Sequence, residues 1–178
     1  WDGVLAVVGQ PTSDGRYLIP GEVGNRDLPL PIMAQTETQD GHMGAEVAGR
    51  IESIELIPAN EFAQADFDLP QLRDNALVVW ATGTFDTSPA ADEARRMIEN
   101  GAGISIDIPV DRMAFIDPDT LEEVPEDDVS IDDMFSGRYL MGMGGKIVVQ
   151  KPVRGQVLVD PDDVGGTGRI GQGRDPGL

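Results

Sequence analysis

The sequence contains no cysteine. Disulfides, thiolate nucleophiles and Cys-ligated zinc are excluded, and the redox compartment is left open. Histidine is almost as scarce: His42 is the only one. A His-rich metal site is therefore impossible, and any imidazole base has to be this residue. Cations are few, with 13 Lys and Arg against 32 Asp and Glu and a net charge of -19. Such a surface repels nucleic-acid phosphates and anionic membranes, which argues against a nucleic-acid reader. No apolar run approaches the roughly 20 residues needed to span a bilayer, and no signal peptide is recognisable. Two Trp and two Tyr give little to stack on sugars.

What is present is a chain of 178 residues, enough for one domain with a real core. Its first residue is Trp1 rather than Met, so it is read as a fragment or processed product. Stretches 1–9, 45–57 and 76–85 are rich in Val, Ile and Leu and read as strands, the second bent at Gly49. Stretch 16–19 returns as a further strand after the turn at 11–15, and Pro20-Gly21 is expected to break it. Prolines at 29 and 31 make that segment extended but unfit for a central strand. Stretch 58–75 reads as an exposed, irregular loop.

One helix stands out over 88–100. Ser88 is a capping residue, Pro89 suits the first helical position, Asp92 and Glu93 lie at the positive end, and Asn100-Gly101 ends it. Beyond it, Gly101-Ala-Gly-Ile-Ser-Ile-Asp-Ile108 reads as a short buried strand. Ile104, Ile106 and Ile108 fall on one face and Ser105 and Asp107 on the other. Strands are also expected at 113–116, at 138–150 with a glycine-rich bulge, and at 153–160. The stretch 121–133 is acidic and proline-broken. These elements add up to an α+β fold, a mostly antiparallel, barrel-like sheet with one or few packed helices. It spans residues 1–160, followed by a flexible Gly- and Asp-rich tail over 161–178.

A serine presented from a rigid strand after a Gly-Ala-Gly turn is a plausible nucleophile, although most Ile-Ser-Ile strands merely alternate between core and solvent. Such a hydroxyl reacts only when a base within hydrogen-bond reach takes its proton and later protonates the leaving amine. An imidazole, with a reference pKa of about 6.5, suits both steps. Asp107 sits about 7 Å along the strand from Ser105 on the same face. It is either the group that orients an imidazole between them or a solvated strand acid. The Asp pairs at 117–119, 127–128, 132–133 and 160–163 lack the spaced calcium-loop pattern and read as solvated turns. Gly142 to Gly145 lacks the Lys-Ser/Thr of a phosphate loop.

Taken together and in order, several stretches resemble the prohead (capsid maturation) proteases of tailed bacteriophages, which share a fold with the herpesvirus assemblins. They are WDGVL at 1–5, RDLPLP at 26–31, GHMG at 41–44 with VAGRI at 47–51, GTFDT at 83–87 and GISID at 103–107. The likeness runs from Trp1 to about Val149. It implies His42 as general base and Ser105 as nucleophile of a serine endopeptidase. That enzyme would cut scaffold and major capsid protein precursors, and itself, inside the procapsid in the host cytoplasm. It implies no cofactor, no membrane and no nucleic-acid partner, and activation by homo-oligomerisation or crowding in the shell. The family often carries a Glu on a later strand to orient the base. The stretch 140–148 has no acid, which leaves Asp107 as the catalytic third member or supports a non-catalytic capsid or scaffold component of the same fold. A carbohydrate- or calcium-binding β module has little in its favour.

Overall fold

The computed structural model describes residues 1–34, 45–62, 69, 71–100 and 103–153, with the backbone alone described for 103–105 and 149–153. The fold is α+β, built from two curled half-barrel sheets and few helices. The strands are β1 (Asp2–Val8), β2 (Arg16–Asn25), β3 (Leu30–Ala34), β4 (Glu46–Pro58), β5 (Leu77–Phe85), β6 (Gly103–Asp107), β7 (Val110–Ile116), β8 (Glu123–Val124), β9 (Leu140–Ile147) and β10 (Val149–Val153). The helices are α1 (Pro89–Glu99) and α2 (Ile131–Ser136). The first sheet has the order β1-β5-β4-β3-β10-β6 and the second β2-β9-β7-β8. Pairing is antiparallel except for β10 with β3 and β2 with β9.

The sheets close on each other through alternating apolar side chains. Leu5, Leu30, Ile51, Val79 and Ala81 from the first sheet meet Leu18 and Ile147 from the second, all buried, with Ile106 and Ile108 packed at the margin. Period-2 alternation gives β5 two useful faces: Val79 joins this core while Val78 joins another on the opposite side. That second face is covered by Ala59, Leu72 and Ala76, with Phe62 and Leu69 partly buried against it. In the stretch read as an exposed loop, Ala59, Phe62, Leu69 and Leu72 thus form a cover while Asn60, Glu61, Gln71, Asp74 and Asn75 are exposed, and 63–68 and 70 lie outside the described residues. Gln10 pins the cover, donating to Gln71 O at 3.2 Å and accepting from the Arg73 N–H at 3.1 Å.

α1 begins where the sequence places it. The Ser88 hydroxyl accepts the Ala91 N–H at 3.2 Å, and the Asp86 carboxylate accepts the Ser88 N–H at 2.7 Å. Hydrogen bonding from the Ser88 side chain, and then from its backbone N–H, holds the Asp86 carboxyl below its usual range. Ala90, Ala91 and Ala94 lie against Ile32, Ala34 and Ala48, small against small, so the helix seats close to β3 and β4. Arg95 lies over the Phe85 ring at 5.4 Å and ties to Asp92 at 2.6 Å.

The structure corrects several sequence expectations. Pro20-Gly21 does not end β2; the strand bends there, with Gly21 at φ 82°, and the pairing with β9 skips between Leu18 and Val23. β3, despite Pro31, is interior to the first sheet. It tolerates the proline because its contact with β10 is a single bridge, Gln150 opposite Ile32. The expected bulge in the glycine-rich strand lies on its neighbours: β7 carries the extra residue, Asp111, opposite Gly144 and Gly145. The glycines serve close approach instead, since a Cβ on Gly145 would stand 2.4 Å from the Pro109 carbonyl oxygen. The stretch 138–150 is two strands, β9 and the start of β10, in different sheets. The strand expected at 153–160, apart from Val153, and the tail at 161–178 lie outside the described residues.

Candidate functional site

β6 follows α1 after residues 101–102 and carries Ser105 and Asp107. Read from the sequence as a short buried strand, it is, among the described residues, the terminal strand of the first sheet, with Ile106 and Asp107 half-buried. Its partner is β10, with Lys151 opposite Ser105, Gln150 opposite Ile106 and Val149 opposite Asp107. Because Ile106 packs into the core, alternation puts positions 105 and 107 on the other face of the strand. Asp107 is half-buried, and its carbonyl accepts the Val148 N–H at 3.0 Å.

His42 lies outside the described residues. The residues that bracket its segment are described: Ala34 ends β3, Glu46 begins β4, and the two pair with each other. Their height in the sheet relative to Ser105 follows from the ladders. Ile32, Gln150 and Ile106 form one row across β3, β10 and β6. Adjacent strands are about 4.8 Å apart, so Ile32 and Ile106 are separated by roughly 10 Å. β6 runs antiparallel to β10, and β10 parallel to β3. Going from Ile32 toward Ala34 therefore matches going from Ile106 back through Ser105 toward Gly103. The ends of segment 35–44 and position 105 belong to the same end of the sheet.

At the other end of these strands lies a cleft of about 550 Å³ bordered by Arg26, Asp27, Pro31, Pro109, Lys146 and Val148. It places two cations on a strongly acidic molecule, just beyond Asp107. Among the described residues no group of three or more His, Asp or Glu is placed to hold a metal ion. No described helix is long and apolar enough to cross a membrane.

Sequence reasoning missed Lys151, which the ladder sets beside Ser105. No local signal marks it, because the pairing joins residues far apart in the chain. The stretch 140–148, where the resemblance puts an orienting acid, is β9 (140–147) of the second sheet followed by Val148. The strand adjoining β6 is β10, whose sequence VQKPV has no acid either. Within these elements Asp107 is the acid nearest in sequence and register to Ser105. No family model, no curated protein and no solved structure matches this chain.

Proposed function

We propose that the chain is a serine endopeptidase of the phage prohead type, cleaving scaffold and capsid precursor segments, and itself, within the procapsid in the host cytoplasm. The observation that carries the reading is the row joining β3, β10 and β6. It sets Ser105 at the end of the sheet where the segment holding the only imidazole leaves β3 and returns in β4. In this reading His42 accepts the Ser105 hydroxyl proton as the oxygen attacks the scissile carbonyl carbon. The same imidazole then protonates the departing amine, leaving an acyl-enzyme. Water activated by His42 hydrolyses the ester and restores the serine. Asp107 holds the imidazole in the productive tautomer, the role a carboxylate plays in a triad. An edge strand suits such an enzyme, because an extended peptide can lie along it by main-chain pairing.

A second reading is a non-catalytic shell component that keeps the fold. The absence of an acid from both β9 and β10 favours it. Labelling with a serine-directed fluorophosphonate, followed by mapping of the modified peptide, separates the two. The expected adduct is on Ser105, lost in Ser105→Ala and strongly reduced in His42→Ala. Coexpression with the capsid subunit gives the functional arm. Scaffold cleavage that continues unchanged in Ser105→Ala would sink the assignment, and an inert Ser105 with no cleavage at all supports the shell component.

A further inference from the structure

We infer that the outward face of α2, formed by Ile131, Met134 and Phe135, is a docking site for a basic, amphipathic segment of a partner protein. The three residues are spaced i, i+3, i+4 and so share one helix face. They are 73%, 44% and 86% exposed, and α2 buries none of its residues. A six-residue helix without a packed face does not hold by propensity. This one is fixed at its ends. The Ser130 hydroxyl accepts the Asp133 N–H at 3.1 Å, the Asp133 carboxylate accepts the Ser130 N–H at 3.2 Å, and Gly137 closes the last turn at φ 72°. Arg138 adds an ion pair to Asp133 at 3.1 Å. An apolar face held ready by caps needs little further ordering when a partner arrives. Met and Phe are the side chains that such surfaces favour.

Charge identifies the occupant. From Asp117 to Asp133 every charged side chain is acidic. The cations beside this run are already matched, Arg138 by Asp133 and Arg112 by Glu22 and Glu123. Among the described residues only Glu123 and Asp133 of the run make an ion pair, so the apolar face adjoins, along the chain, a run that stays strongly negative. A second copy would bring that acidic run against its twin on a molecule of net charge -19. Residues 154–178 carry Asp as well as Arg and offer no net complement. A protein segment with Lys and Arg flanking an apolar stripe satisfies both parts of the surface. The inference does not depend on the chemistry of Ser105.

Two fluorescein-labelled synthetic helical peptides test it, each with the same Leu stripe, one with Lys and the other with Glu at the polar positions. Anisotropy titrations with the full chain should show saturable binding of the Lys peptide, weakening at high salt, and none of the Glu peptide. Ile131→Ser/Phe135→Ser should weaken that binding by about tenfold or more, with the melting temperature unchanged because neither side chain is buried. Asp127→Lys/Asp128→Lys should also weaken it while leaving the apolar face intact. Equal affinity for the Ile131→Ser/Phe135→Ser protein overturns the proposal, since the peptide would then be reading bulk charge. So does sedimentation showing a wild-type dimer that this double variant abolishes, which makes a second copy the occupant. Absence of wild-type binding, with faster tryptic cleavage after Arg154 in the double variant, overturns it in favour of the chain's own 154–178.

Discussion

Lys151 stands directly opposite Ser105 in the antiparallel ladder between β10 and β6. Directly opposed residues in such a pair have Cβ atoms about 4.5–5.5 Å apart and share a face. Under the peptidase reading, a cation at that ladder position would favour negative charge developing at the reacting serine or at the attacked carbonyl. If Ser105 is the nucleophile, Lys151→Met should slow fluorophosphonate labelling by about tenfold or more, a modest share of what an oxyanion donor can supply. Lys151→Arg should retain most of the rate. Equal rates in all three proteins would show that the pairing has no chemical role.

Gly49 is required by the close pairing of β4 and β5, where it stands opposite Phe85. A Cβ there would stand 2.1 Å from the Thr84 carbonyl oxygen and 2.8 Å from the Phe85 Cα, both backbone atoms that cannot swing aside. Gly49 is also opposite Ile32, in the row that reaches Ile106, the residue after Ser105. Gly49→Ala should therefore destabilise by about 2–3 kcal/mol, a fall in melting temperature of roughly 6–9 °C for a chain of this size. Under the peptidase reading it should also lower activity at temperatures where the protein is still folded. A Gly49→Ala protein that melts within a degree of the wild type contradicts this close approach.

The strands and α1 were legible because their signals are local: Val-rich alternation in β1 and β5, and Ser88-Pro89 ahead of the helix. Non-local pairing was not. Nothing in the residues 138–150 says that the chain changes sheet at Val148, or that β10 comes between β3 and β6. That insertion made β3 an interior strand and left β6 at the edge. α2 was missed although Ser130-x-x-Asp133 and Gly137 are a capping box and a left-handed stop, because the acidic run and Pro125 read as a breaker. Of the site, Ser105 and Asp107 could be placed on one strand face from alternation alone. Their neighbour Lys151 required the ladder.

Gln10 is fully buried between β1 and the cover over β5. Gln10→Ala removes the acceptor of the Arg73 N–H and the donor to the Gln71 carbonyl, and leaves a void. The expected cost is about 2–4 kcal/mol, from unsatisfied backbone groups plus the lost volume. The effect should be local first. Hydrogen exchange should accelerate at Arg73 and along the Val78 side of β5 before the Leu30–Ile51 core responds. Uniform acceleration across both sheets would mean that the cover is not a separate unit.

Asp133 links stability to pH through the cap of α2. Its carboxyl is held below the usual range, first by the Ser130 hydroxyl, 2.6 Å away, and then by Arg138. A carboxyl depressed in the folded state contributes stability that is fully present above its unfolded pKa, about 3.9. That contribution is lost as the pH falls through the lower, folded value. Asp133→Asn removes it at every pH. The variant should therefore melt below the wild type near neutrality, and the gap should close as the pH is lowered below about 4, where the wild-type carboxyl also becomes neutral. Ser130→Ala should cost about 1 kcal/mol near neutrality and shrink the effect of Asp133→Asn when the two are combined, since each works through the other. A gap between wild type and Asp133→Asn that stays constant down to the acid limit would mean that the carboxylate's charge plays no part in holding the helix.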